Sequence, residues 1–123
     1  MVKINSLKIG EFTDLIETYL YYDGPRLYSI KHSSGVIALV YWYREIENYI
    51  DQFLYTFMDD YELYQLENNA ITLNEFFDYK SKIGRMYLVN HDENYFDVDL
   101  LKLEPFREFN SIEWFDDRVY LTE

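Results

Sequence analysis

The residues able to do chemistry are few, and their neighbours give them little help. His32 and His91 are the only histidines, and cysteine is absent. His32 precedes Ser33, Ser34 and Gly35, so a hydroxyl stands near an imidazole, the pairing that activates a serine nucleophile. Adjacency in a turn is not expected to aim that hydroxyl at the ring, and no glycine-flanked nucleophile elbow accompanies it. Ser33-Ser34-Gly35 therefore reads as a polar hairpin turn. His91-Asp92-Glu93, with Asp97 and Asp99 nearby, offers an imidazole and several oxygens to a metal. A calcium loop, however, needs a ladder of Asp and Asn, a central Gly and a closing Glu, and this segment has no such order. It reads as solvated turn and strand face, and neither a metal nor a cofactor is expected. Asp59-Asp60 and Asp116-Asp117 match glycosidase carboxylates only in composition, because that chemistry requires a set separation across a sugar cleft. The phosphate-cradling patterns GxGxxG and GxxxxGK[ST] do not occur, which excludes nucleotide binding of those kinds. The expectation is a protein that is not an enzyme. A small enzyme built on His91 and its carboxylates ranks last among the functional readings.

The elements that would position these residues form one α+β domain over residues 1–123. A chain of 123 residues buries enough apolar surface for a core, and 49% apolar with 20% aromatic residues outweighs a net charge of -12 against disorder. Without cysteine there are no disulfides, thiolates, iron-sulfur clusters or cysteine-bound zinc. Met1 to Gly10 has two lysines but no continuous apolar core, and no stretch approaches 18 apolar residues, so a cytoplasmic protein is expected. Heavy use of Tyr, Asn, Ile, Asp and Glu suggests an AT-rich genome of bacterial or phage type.

Strands are expected at Asp14 to Tyr22, Arg26 to His32 and Val36 to Tyr43, joined by the Asp23-Gly24-Pro25 and Ser33-Ser34-Gly35 turns. Val36 to Tyr43, ending in Tyr41-Trp42-Tyr43, has the unbroken apolar run of a strand buried on both faces. Asn48 to Phe57 is read as a fourth strand, although Ile46, Tyr49, Ile50 and Phe53 also fit a helix. Asp59 with Glu62, and Thr72 with Glu75, are capping boxes that open two short helices, the first ended by Asn68-Asn69. Gly84 to Val89 and Tyr95 to Leu103 are read as a further hairpin across the polar His91 to Asn94 turn. Val119 to Leu121 is read as a short edge strand, anchored by Trp114 and Phe115. The architecture is a mainly antiparallel, twisted meander sheet with one or two short helices packed on it.

Charge narrows the partners. From Glu45 to Tyr79 there is no Lys or Arg, while Glu45, Glu47, Asp51, Asp59, Asp60, Glu62 and Glu67 are all acidic. A surface of this sign repels nucleic acid and anionic membranes, which bind through Lys and Arg, so neither is an expected direct partner. Strand residues two apart share a face at about 6.6 Å, which would set Asp97 and Asp99, or Glu45 and Glu47, in regular rows. Such rows would imitate phosphates before a basic groove. The partner-binding residues expected are Glu45, Glu47, Asp51, Asp59, Asp60, Glu62, Glu67, Asp97 and Asp99. Tyrosines suit interfaces as well, because they join area to a hydroxyl.

Tyr22-Asp23-Gly24-Pro25-Arg26-Leu27-Tyr28, then Gly35 and Leu39-Val40-Tyr41-Trp42, resemble a family of small uncharacterised bacterial and phage proteins. Phe53-Leu54-Tyr55 and Thr72-Leu73-Asn74-Glu75-Phe76-Phe77 match its later pieces, so the resemblance spans roughly residues 5 to 90. It implies a hairpin scaffold of unknown function and transfers no catalytic residue. The leading functional expectation is a small acidic protein that inhibits or regulates a nucleic-acid-acting defence protein of anti-CRISPR or anti-restriction type. The alternative is an operon-encoded interaction or immunity partner that binds through an aromatic surface.

Overall fold

A computed structural model describes residues 5–21, 24–46, 49–109 and 121. Asp23, Glu47, Trp114, Phe115, Asp116, Asp117, Val119 and Tyr120, which carried sequence expectations, lie outside the described residues. Five antiparallel strands follow one another across a single sheet in the order β1 (Phe12–Tyr21), β2 (Pro25–His32), β3 (Ile37–Ile46), β4 (Ile50–Met58) and β5 (Met86–His91). Between β4 and β5 lie α1 (Asp60–Glu67) and α2 (Leu73–Lys82). This is the expected α+β meander.

The apolar runs explain which strands are central. β3 and β4 pair from Ile37↔Met58 to Ile46↔Ile50, and Ile37 to Tyr41 and Gln52 to Met58 are buried without interruption. Strand geometry sends alternate side chains to opposite faces, so an unbroken buried run requires cover on both. On one face Leu39, Tyr41, Leu54 and Met58 meet Leu63 and Leu66 of α1 and Leu73, Phe76 and Phe77 of α2. On the other, Val40, Phe53, Tyr55 and Phe57 meet Leu7, Ile9 and Leu100. Both helices start at the expected capping boxes. Asp59 accepts from Glu62 N at 2.8 Å and Thr72 Oγ1 from Glu75 N at 3.2 Å. Asn69, at φ 59, turns the chain out of α1.

The expected strand from Tyr95 to Leu103 is not there. Two 3-10 turns, Tyr95–Asp97 and Leu100–Lys102, replace it, with an isolated bridge between Lys8 and Asp99. The reason is the uncovered second face. Residues 5–11 and 95–103 close over it together, through Ile9 N to Val98 O at 2.9 Å and Leu100 N to Leu7 O at 3.1 Å. The edge beside β5 is met instead by Phe106 N on Met86 O at 2.7 Å.

Asp99 fastens this cover. Its Oδ1 accepts from Leu7 N and Leu101 N, each at 3.0 Å. Burial works to raise its pKa, but these backbone bonds outweigh burial and hold the carboxyl below its ordinary value. A depressed folded pKa adds stability above the unfolded value of about 3.9, and that stability is lost as pH falls through the lower folded value. Asp99→Asn should therefore cost about 1–2 kcal/mol at neutral pH. Urea denaturation at a series of pH values should show the gap to the parent closing at strongly acid pH.

Candidate functional site

The expected partner-binding carboxylates do not share one face. Glu45 and Asp51 lie opposite each other near one end of the β3–β4 pair, and Asp51 Oδ1 is engaged by Trp42 Nε1 at 3.0 Å. Asp59 follows the other end of β4, about 26 Å away at 3.3 Å per residue. Asp97 is exposed in a 3-10 turn, while Asp99 is buried and bonded to backbone. The Asp97–Asp99 row is thus overturned, because the segment lacks the strand that would align them.

What the fold does bring together is the acidic set on α1. Leu63 and Leu66 face the core, and the 3.6-residue period sets Asp60, Tyr64 and Glu67 in one exposed stripe along the helix, with Tyr61 beside them. Tyr61 and Tyr64 are 66% and 63% exposed. The hydroxyl of Tyr19 in β1 reaches Glu67 Oε1 at 3.4 Å and Ser29 Oγ at 2.9 Å, which ties the end of the helix to the sheet. Exposed Ile16, Glu17 and Leu20 of β1 adjoin that tie in sequence.

Glu62 points the other way. One oxygen accepts from Asp59 N at 3.2 Å and the other meets Lys80 Nζ at 2.6 Å. Lys80 is nearly enclosed, with 7% of its side chain exposed, and its ammonium lies 5.6 Å from the Phe76 ring centre. Sequence reasoning passed over this lysine. Its signal was a cation on the apolar stripe of α2, in register with Leu73, Phe76 and Phe77.

The pair borders a cleft of about 500 Å³ at this end of the sheet. Leu7, Val36, Phe57, Met58 and Leu101 give it apolar walls, and Asp59, Glu62, Lys80 and Arg85 bring charge. Ser34 and Gly35 of the β2–β3 turn reach it too.

Contrary to expectation, the turn does aim Ser34 at His32. Ser34 Oγ lies 2.8 Å from Nδ1, and Nε2 lies 3.2 Å from Glu11 Oε2. Ser34 N also donates to Nδ1 at 3.0 Å, so that nitrogen is an acceptor and Nε2 carries the proton toward Glu11. The order hydroxyl, imidazole, carboxylate matches a hydrolase triad, but here the lone pair is shared with the turn's own backbone. The three groups lock a buried histidine and an exposed turn.

His91 lies at the opposite end of β5 inside an aromatic stack. Its ring is 4.0 Å from both Phe53 and Tyr95, and Nε2 meets Tyr55 OH at 2.6 Å. Among the described residues, no group of three His, Asp or Glu side chains is arranged to hold a metal.

A family model described as a family of unknown function, DUF6575, matches residues 4–94. The chain belongs to that family. Every cleft residue named above except Leu101 falls within the matched span. No curated protein and no solved structure matches the chain. No helix among the described residues of this DUF6575 domain is long and apolar enough to cross a membrane.

Two predictions arise from these buried ionisable groups. Removing one partner of an enclosed ion pair strands the other, so Glu62→Ala should destabilise the domain by about 2–4 kcal/mol, whereas Lys80→Met, which fills the same space without charge, should cost less. Chemical denaturation of both variants measures the order. For His91, burial lowers the pKa to about 4, against the opposing pull of Asp51 and Asp92. The unfolded chain then binds the proton first, so stability should decline as pH falls from about 6.5 toward 4. His91→Gln, which does not titrate, should flatten that decline in thermal melts across the same window.

Proposed function

We propose that the domain binds a protein partner with a Lys- and Arg-rich surface, using the outer face of α1 and the neighbouring side chains of β1. The observation that carries this reading is the exposure of Asp60, Tyr64 and Glu67 on one helix face whose other side is fixed in the core. No Lys or Arg stands between Glu45 and Tyr79 in the sequence, and Lys80, the next cation, is turned inward onto Glu62. Exposed carboxylates attract a basic surface over roughly a Debye length, about 8 Å at physiological salt, and tyrosines add contact area with little entropy to lose.

The partner class that suits this patch is a protein that itself handles nucleic acid and therefore carries a basic groove. That makes the domain an inhibitor or regulator of a defence component of CRISPR or restriction type, acting in the cytoplasm on behalf of a phage or mobile element. The carboxylates alternate with tyrosines along a two-turn helix. Recognition on this reading depends on a mixed acidic and aromatic patch more than on a phosphate-spaced row.

The test is affinity capture from nuclease-treated bacterial lysate, washed in parallel at low and high salt and read by mass spectrometry. A nucleic-acid-handling protein should be retained at low salt and released at high salt. It should be lost with Asp60→Lys/Glu67→Lys and weakened with Tyr64→Ala, while Asp51→Lys at the far end of the sheet should leave capture intact. Retention by the Asp60→Lys/Glu67→Lys variant, with its melting profile unchanged, would overturn the assignment.

A further inference from the structure

The charges around the cleft are unequally committed. Asp59 is occupied as the N-cap of α1, and Glu62 is divided between Asp59 N and Lys80. Arg85 is different. Its backbone is clamped on both sides, N to Lys80 O at 2.9 Å and O to Phe57 N at 3.1 Å. Its guanidinium makes no side-chain hydrogen bond or ion pair with any described residue. Lys80 Nζ has three donors, and among the described residues Glu62 is its sole ion-pair partner. Both Glu62 oxygens are thus engaged, while Arg85 and Lys80 keep donors to spare on the cleft.

The walls indicate what the anion is attached to. Leu7, Val36, Phe57, Met58 and Leu101 come from the sheet and from the chain that covers its second face, and they line an open cleft of about 500 Å³, within the range of small-ligand sites of about 300–1,000 Å³. A pocket of apolar walls with a few convergent polar groups suits an amphipathic small molecule, its body among the side chains and its head on the donors. Two carboxylates at the same rim disfavour a dianion such as a phosphate monoester, whereas one guanidinium fork matches one carboxylate in bidentate geometry.

We propose that the cleft between the β2–β3 turn, the start of α1 and Arg85 is a binding site for a small apolar monocarboxylate, such as a medium-chain fatty acid or an arylalkanoate, with its head on Arg85 and Lys80 and its tail toward Phe57 and Leu101. This site is independent of the outer face of α1. A carboxylate can occupy it whether or not the domain meets a protein partner.

The experiment titrates the intact chain with octanoate and 3-phenylpropionate, and with 3-phenylpropanamide and octylamine as neutral and cationic controls, followed by amide NMR shifts and calorimetry. Saturable shifts should appear for the carboxylates at Ser34, Val36, Met58, Arg85 and Leu101. The neutral and cationic analogues should bind at least about tenfold more weakly, for loss of a charge-assisted bond. Arg85→Gln, a change at an exposed side chain without side-chain partners among the described residues, should cause a similar loss with an unchanged melting curve. Leu101→Glu, which sets a negative charge against the tail, should abolish binding. The proposal fails if the carboxylates give no saturable shift at millimolar concentration, if the amine binds as well as the acid, or if Arg85→Gln binds like the parent.

Discussion

The pairing of β3 with β4 sets the terms for everything else in the domain. It joins two long strands whose middles are apolar on both faces, and such a ribbon cannot remain in water on either side. At about 25 cal/mol per Å² of buried apolar surface, leaving one face wet would forgo several large side chains, each worth about 1.5–3 kcal/mol. The capped helices cover one face. The other is covered by chain with little regular structure, drawn from both ends of the described residues. The price of that choice is a set of backbone groups without a ladder, and Asp99 answers it by accepting two of their N–H groups.

Glu62 illustrates how tightly the acidic middle of the chain is bound into this scheme. It closes the α1 capping box and also compensates a lysine enclosed by α2 and the cleft. Acidity in this stretch therefore has two origins. Part of it holds helices in place and is turned inward, and part is exposed on the outer face of α1. Composition alone gives both the same weight, and only the helical period separates Glu62 from Asp60 and Glu67.

The same division governs what could be read before the fold was known. The meander was legible because each of its signals is local: Ser33-Ser34-Gly35 turns the chain, the run from Val36 to Tyr43 needs double cover, and Asp59 with Glu62 caps within four residues. The segment from Tyr95 to Leu103 was misread because its destination is set by Leu7 and Ile9, some ninety residues earlier, a distance no periodicity reports. The cleft was invisible for a like reason, since its walls come from separate stretches of chain. The Ser34–His32 contact lay nearer to view. Ser34 Oγ and Ser34 N both bond back to the ring two residues earlier, an arrangement set by the turn's backbone, which residue types alone do not specify.

β1 pairs with β2 irregularly, and Thr13, Ile16 and Tyr19 each intrude between residues that oppose consecutive positions of β2. An extra residue at every third position coils the outer strand far more than its neighbour. Its outer edge, which pairs with no other strand among the described residues, carries Leu15, which is 64% exposed, and Leu20 and Tyr21, a composition that on a flat strand would template the addition of further chains. Coiled in this way, the edge offers side chains to a visitor while withholding a straight row of amides and carbonyls. Crowding many copies together should therefore leave them separate molecules and not seed a growing sheet, so the domain can keep an apolar border without the fibrillar hazard that usually attends one.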